Sequence, residues 1–73
     1  MADKYIVKWQ LQYKEKGKYN YRYLGRFSID RYGLSDYDAM WYSGSAIHYP
    51  EAVAEWLCGL LEAKGLYPEM EKV

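Results

Sequence analysis

The chain has 73 residues with a formal net charge of zero, and it holds ten Tyr, three Trp and a single cysteine, Cys58. A chain of this length buries about 60% of its unfolded surface, so we expect one small domain over residues 1–73. One cysteine excludes an internal disulfide and a cysteine-based zinc cage. Residues 1–4 lack a signal-peptide core and no apolar run would span a bilayer, so the sequence predicts a cytoplasmic protein that makes no membrane contact.

The first predicted element is a β-hairpin over residues 4–27. Large apolar or aromatic residues occupy the odd positions from 5 to 13, with mainly polar residues between them, and the same pattern returns from 19 to 27. This alternation is typical of half-buried strands. A three-residue loop with Gly17 in the left-handed conformation would pair Lys14 with Lys18. That register sets Leu11 opposite Tyr21, Trp9 opposite Tyr23 and Tyr5 opposite Phe27. A lone ribbon is marginally stable in water, so its aromatic face needs a cover.

A third strand is expected after the hairpin. Turn-forming residues gather between 28 and 36, where the chain should reverse. Residues 38–43 then resume an alternation, with Trp41 on one face and Met40 and Tyr42 on the other. This segment is predicted to extend the sheet to three strands.

The cover is predicted to be a helix at about 50–64. Pro50 suits a first helical position, and Glu51 and Glu55 place negative charge near the positive end of the helix dipole. Gly65 predicts a left-handed stop, and Pro68 prevents the helix from resuming. The apolar stripe that would face the hairpin comprises Val53, Trp56, Leu57, Leu60, Leu61 and the stem of Lys64.

Together these elements predict an α+β fold. We expect a three- or four-stranded antiparallel sheet, made of the 4–27 hairpin and a further strand, packed against one C-terminal helix. Residues 69–73 are expected to form a frayed tail.

No catalytic constellation can be assembled from the chain. His48 is the single histidine, so a Ser-His or Cys-His nucleophile would have to use it. Cys58 lies ten positions away, near the edge of the apolar stripe, where a small buried residue is the plain expectation. The sequence therefore predicts a protein that is not an enzyme.

Cofactor and metal sites are not predicted either. Asp30, Asp36 and Asp38 lack the spacing of a calcium-binding loop. Residues 43–45 (Ser-Gly-Ser) precede a helix, but no phosphate-binding lysine accompanies them. A solvated acidic loop, or an acidic contact with a basic partner, is the expectation for the three aspartates.

Charge is distributed unevenly along the sequence. Residues 1–31 hold eight Lys or Arg against three acidic residues, a net of +5, whereas residues 32–73 hold two against seven, a net of −5. Cations interleaved with tyrosines on a sheet can follow a phosphate backbone and stack bases. The candidate nucleic-acid-binding residues on the basic hairpin are Lys8, Lys16, Arg22 and Arg26.

A resemblance accompanies this alternative. The order of a strand with Trp9, a turn with Gly17, a strand ending in 25–27 (Gly-Arg-Phe) and the helix opening 50–57 (Pro-Glu-Ala-Val-Ala-Glu-Trp-Leu) is loosely similar to the arm-type DNA-binding domain of tyrosine recombinases. That resemblance implies a three-stranded sheet that packs on one helix and enters the DNA major groove.

The leading prediction is a small protein that docks on a macromolecular partner and blocks or modulates it. Tyr and Trp are enriched where proteins bind one another. In size the chain resembles phage-encoded inhibitors of host defence, the anti-CRISPR type, which implies a protein or ribonucleoprotein complex as partner. Homodimerisation through spare aromatic surface is compatible with this prediction. The predicted partner-binding residues, aromatic anchors within an acidic loop, are Tyr32, Asp36, Tyr37, Asp38, Trp41 and Tyr42.

Overall fold

The computed structural model describes residues 3–10 and 21–73. Within them, five strands form one antiparallel sheet that packs against one α-helix, which confirms the α+β prediction and adds strands to it. In chain order the elements are β1 (Lys4–Gln10), β2 (Tyr21–Asp30), β3 (Gly33–Met40), a 3-10 turn (Ser43–Ser45), β4 (Tyr49–Pro50), α1 (Glu51–Glu62) and β5 (Pro68–Lys72).

Strand β1 lies at the centre of the sheet and is paired along both edges. Trp9 lies opposite Arg22 of β2 on one edge and opposite Pro68 of β5 on the other. Tyr5 is likewise shared between Tyr49 of β4 and β5. Strands β2 and β4 therefore occupy the same edge of β1, one after the other.

The predicted hairpin register is wrong by one residue. Trp9 faces Arg22 rather than Tyr23, so the even-numbered residues at the start of β2 share the helix-facing side of the sheet with Trp9. This register buries Leu24, which is fully inaccessible to solvent. The free energy gained by burying Leu24 exceeds that of burying Tyr21 and Tyr23, whose hydroxyls can instead stay in water. The predicted loop around Gly17 lies outside the described residues.

A bulge in β2 explains how both Leu24 and Phe27 reach the core. The ladder with β3 shifts between these two residues, and a bulge adds one residue that reverses the alternation. Phe27 thus returns to the helix side, where its ring lies 5.9 Å from that of Tyr49.

Strand β3 begins earlier than the predicted 38–43 segment. Its first residue, Gly33, has φ 109°, which is accessible to glycine and closes a two-residue turn after Asp30. The Tyr32 N–H donates to the Asp30 carboxylate at 2.8 Å and secures the turn. Leu34, which is 6% exposed, then enters the core and holds the strand onto the helix.

Helix α1 lies within the predicted span and covers the sheet with Ala54, Leu57 and Leu61. These side chains join Val7, Trp9, Leu24, Leu34 and Tyr49 in a single core cluster. Trp56, predicted to lie on the buried stripe, is 46% exposed, and its ring centre lies 6.0 Å from that of Phe27 in an edge-on arrangement. Among the described residues, no helix is both long and apolar enough to cross a membrane.

The end of α1 is closed by the predicted left-handed glycine. Gly65 has φ 87°, its N–H donates to the carbonyl of Glu62 and the Leu66 N–H donates to that of Leu61, which is the Schellman arrangement. This cap turns the chain back toward the sheet.

The prediction that residues 69–73 form a frayed tail is wrong. Pro68–Lys72 forms β5, which pairs with five consecutive residues of β1. Met70 lies opposite Val7 and packs against the core. The Val73 N–H donates to the Lys4 carbonyl at 2.9 Å, so main-chain bonding continues past the strand.

Candidate partner-binding surface

The outer edge of β3 is exposed and is followed directly by Trp41 and Tyr42. We call this region the β3 edge surface. Strand β3 pairs with β2 on one side, and no strand among the described residues pairs with its other side. Its backbone is therefore a sheet edge. The exposed residues of this surface are Ser35, Asp36, Asp38, Ala39, Trp41 and Tyr42.

Backbone groups of β3 point outward at alternate residues. The Tyr37 N–H donates to the carboxylate of Asp36 at 2.9 Å instead of to β2, which identifies Tyr37 as a residue whose main-chain groups face away from the sheet. Ala39, two residues on, has the same phase. The edge therefore presents outward main-chain groups, one of which is covered by a side chain of the same strand.

Carboxylates lie on the sheet face away from the helix. Asp36 is paired with Ser28, and Asp38 lies two residues along on the same face. Arg26 is the nearby cation, and no salt bridge within 4.0 Å joins it to either aspartate. A shallow depression at this point is lined by Arg26, Phe27, Ser28, Asp36, Tyr37 and Asp38.

Trp41 and Tyr42 follow β3 directly and are 53% and 58% exposed. The guanidinium carbon of Arg22 lies 3.9 Å from the centre of the Trp41 ring, a close cation–π contact. The Tyr42 carbonyl accepts the N–H of Ser45, the first bond of the 3-10 turn. The Arg22 contact restrains the Trp41 ring, and the turn fixes the main chain at Tyr42, while about half of each ring remains accessible.

The predicted partner-binding residues do not form one loop. Tyr37 faces the helix side, where its ring meets Trp9 edge-on at 5.6 Å, so it is part of the packing rather than an anchor. Tyr32, 83% exposed, lies at the turn before β3, nine residues from Trp41, or about 30 Å along an extended strand. Asp36 and Asp38 lie on the face of the β3 edge away from the helix. Trp41, stacked on Arg22, lies past the end of the strand on the helix side, and Tyr32 is left at the opposite end of the strand.

The alternative nucleic-acid site loses the single face it requires. Because Lys8 lies opposite Tyr23 and Arg22 lies opposite Trp9, their side chains start on opposite faces of the sheet. Lys8 is paired with Glu71 at 3.7 Å and lies 4.8 Å from the Tyr21 ring centre. Arg26 is exposed, and Lys16 lies outside the described residues.

A pocket on the sheet face away from the helix brings Ser43, His48 and Glu71 together. Its volume is about 210 Å³. No hydrogen bond links the Ser43, His48 and Glu71 side chains, whereas a nucleophile–base–carboxylate relay requires such bonds. The remaining lining residues are Ile6, Gly44, Lys72 and Val73.

Other chemistry-bearing groups stand apart. A cleft of about 410 Å³ under the end of α1 is lined by Glu62, Gly65, Leu66, Tyr67 and Pro68. Burial, together with the nearby Glu62 and Glu55 carboxylates, raises the pKa of the Cys58 thiol, which keeps it in its less nucleophilic form. Among residues 3–10 and 21–73, no group of three or more His, Cys, Asp or Glu side chains is placed to hold a metal ion.

Sequence reasoning missed the open edge as a feature of the site. The sequence pattern predicts a strand over residues 38–43 and a turn over residues 28–36, so Leu34, the buried residue of β3, falls within the predicted turn. Comparison with known proteins adds no name to this surface, since no family model, curated protein or solved structure matches the chain.

Proposed function

We propose that this chain is a small binding protein that docks on a macromolecular partner, and blocks or modulates it, through the β3 edge surface. The observation that carries the proposal is the pair of half-exposed rings, Trp41 and Tyr42, placed at the end of an acidic edge strand. Exposed large aromatics on a restrained backbone are the usual anchors of protein interfaces.

Restraint of the Trp41 ring and of the Tyr42 main chain lowers the entropic cost of binding, which supports the proposal. Ordering a free side chain on binding costs about 0.5–1.5 kcal/mol. The stacking of Trp41 on Arg22 meets part of that cost for the Trp41 ring before a partner arrives, and the 3-10 turn fixes the main chain from which the Tyr42 ring projects. A ring that is already ordered loses less side-chain entropy on binding, so more of the free energy gained by burying it contributes to affinity.

The surface is large enough for a partner if the whole strand takes part. A standard interface buries about 800 Å² per partner, roughly one seventh of the 5402 Å² accessible surface of the chain. Two aromatic rings cannot supply that area alone. The exposed stretch from Ser35 to Tyr42 would form the rest of the contact.

The acidic character favours a partner with a basic surface. Asp36 and Asp38 would complement Lys or Arg across the interface and disfavour acidic partners. A protein or ribonucleoprotein complex with a nucleic-acid-binding groove presents such a surface. Inhibition of a host-defence complex by a phage-encoded protein is the form of this function that we propose.

A pull-down from host lysate with three baits tests the proposal. The baits are the wild type, the double variant Trp41→Ala/Tyr42→Ala and the control Tyr67→Ala, which removes a 77%-exposed ring elsewhere on the molecule. We expect the wild type and the control to retain the same nuclease-resistant partner and the double variant to lose it. Thermal unfolding of each bait checks that the variants remain folded.

Two results would contradict the proposal. Equal recovery of the partner by the double variant would show that the rings are not anchors. Recovery of nuclease-sensitive material alone would instead favour binding of nucleic acid by cationic residues such as Arg26.

A further inference from the structure

The two outer strands of the sheet differ in how well their edges are protected. Strand β5 has five residues, begins with Pro68, which has no N–H, and carries charge on Glu69, Glu71 and Lys72. Short length, proline and charge are the usual means of blocking an edge. Strand β3 has eight residues and no proline or lysine, and its main-chain groups at Tyr37 and Ala39 face outward.

The charges on β3 argue against a second copy of this chain as the occupant. In an antiparallel pairing of β3 with itself centred on Tyr37, Asp36 of one copy would lie opposite Asp38 of the other. Registers centred on either aspartate would set that residue opposite itself. Like charges directly opposite each other destabilise a strand pair.

We propose that the β3 edge binds an extended basic segment of the partner, which adds to the sheet as a further strand. This inference rests on the proposed function and specifies the chemistry of its partner. Main-chain bonds to Tyr37 and Ala39 would supply affinity, and Lys or Arg at alternate positions of the segment would lie beside Asp36 and Asp38. A segment running past Met40 would also reach the rings of Trp41 and Tyr42.

Asp36 has two roles in this scheme. In the free protein its carboxylate accepts the outward N–H of Tyr37 and so covers part of the edge. When the segment binds, a main-chain carbonyl replaces the carboxylate at that N–H, and the carboxylate turns to a cationic side chain. The edge is thereby shielded from unspecific pairing and opened by a basic partner.

The test uses three blocked synthetic peptides of about eight residues, the usual upper range of strand length. The first alternates lysine with threonine, the second alternates glutamate with threonine, and the third is the lysine peptide with alternate backbone nitrogens methylated. The third keeps the charge but cannot complete a strand ladder. Binding is followed by NMR titration, with hydrogen exchange of the Ala39 amide as the signature of strand addition.

We expect the lysine peptide to shift resonances of residues 35–42 and to slow exchange of the Ala39 amide, and the other two peptides to do neither. The variant Asp36→Asn/Asp38→Asn should bind about tenfold more weakly, the loss expected for two exposed ion pairs. The matched variant Glu69→Gln/Glu71→Gln, on the opposite edge, should bind within twofold of the wild type.

Several outcomes would overturn the inference. The first is that the lysine peptide does not bind, or that the methylated or glutamate peptide binds equally well. The second is that the lysine peptide shifts only resonances outside residues 35–42. The third is that the protein dimerises through β3 in sedimentation experiments. If the pull-down shows a partner that depends on Trp41 and Tyr42 but the lysine peptide fails, strand addition is wrong and the proposed function stands. If the peptide binds but no partner depends on the rings, the proposed function fails by itself.

Discussion

Strand β1, at the centre of the sheet, and strand β3, at its edge, differ most in pairing and burial. Strand β1 is paired along both edges and contributes Ile6, Val7 and Trp9, each at most 5% exposed. Strand β3 is paired along one edge and contributes Leu34 alone to the buried set. Stability should therefore depend on β1 and its neighbours, whereas substitutions on the outer side of β3 should change binding and leave the fold intact.

The largest expected effect is on β1, at its buried tryptophan. Trp9→Ala should lower the free energy of unfolding by about 3–5 kcal/mol, because it leaves a cavity between the sheet and α1. Trp56→Ala is the matched control, since that ring is 46% exposed and Trp9 is 3% exposed. Equal losses of stability for both tryptophans in urea denaturation would contradict the assignment of Trp9, but not Trp56, to the buried core.

Met70→Ala should cost about 2 kcal/mol, because the side chain packs on the core opposite Val7. Glu69→Ala, the preceding residue on the other face of β5, should cost less than about 0.5 kcal/mol. Thermal or urea unfolding measures both changes. Equal, negligible effects would mean that residues 68–72 do not pack as a strand in solution.

Tyr37→Ala should lower stability by about 1–2 kcal/mol through loss of the edge-on contact with Trp9 and of partial burial. Trp41→Ala, only four residues along the chain, should cost at most about 1 kcal/mol, the value of an exposed cation–π contact. If Trp41→Ala proved the more destabilising of the two, Trp41 would belong to the packing and could not be assigned mainly to binding.

The smallest expected effect is at Tyr49, whose hydroxyl donates to the Gly25 carbonyl at 2.5 Å. Tyr49→Phe should cost about 1 kcal/mol near neutral pH by loss of that bond. Burial raises the pKa of Tyr49 in the folded protein. The unfolded chain therefore loses this proton first, and the stability associated with Tyr49 falls as the pH rises above about 10.

Urea titrations at about pH 8 and pH 10.5 measure this dependence. The difference between wild type and Tyr49→Phe should shrink or reverse at the higher pH, whereas the exposed control Tyr67→Phe should follow the wild type at both. A difference that stayed constant with pH would show that Tyr49 does not ionise on unfolding.

Sequence patterns predicted the elements better than their register. The alternation from Tyr5 to Trp9 identifies β1 and its buried side, and Gly65 identifies the helix end, because both signals are local. Strand β2 carries large residues on both faces, with Tyr21 and Tyr23 on one and Leu24 on the other. Its alternation therefore does not show which face is buried. The bulge before Phe27 leaves no trace in composition.

The remaining errors have a non-local cause. Glu69-Met70-Glu71 is too short and polar to be distinguished from a tail until β1 is available to pair with it. For the candidate site, Trp41, Tyr42 and the two aspartates are exposed in the structure, and their role in binding stays a prediction. Tyr37 packs against the core, which the sequence does not reveal because its partner, Trp9, is distant along the chain. Exposure at a sheet edge depends on strand order, which periodicity does not encode.

The most direct test of the account is hydrogen–deuterium exchange of the chain alone and in complex with its captured partner. We expect new protection of the amides between residues 35 and 42, with little change in β1 or α1. Protection confined to Glu51–Glu62 or to Pro68–Lys72, with residues 35–42 unchanged, would contradict it and move the binding surface away from β3.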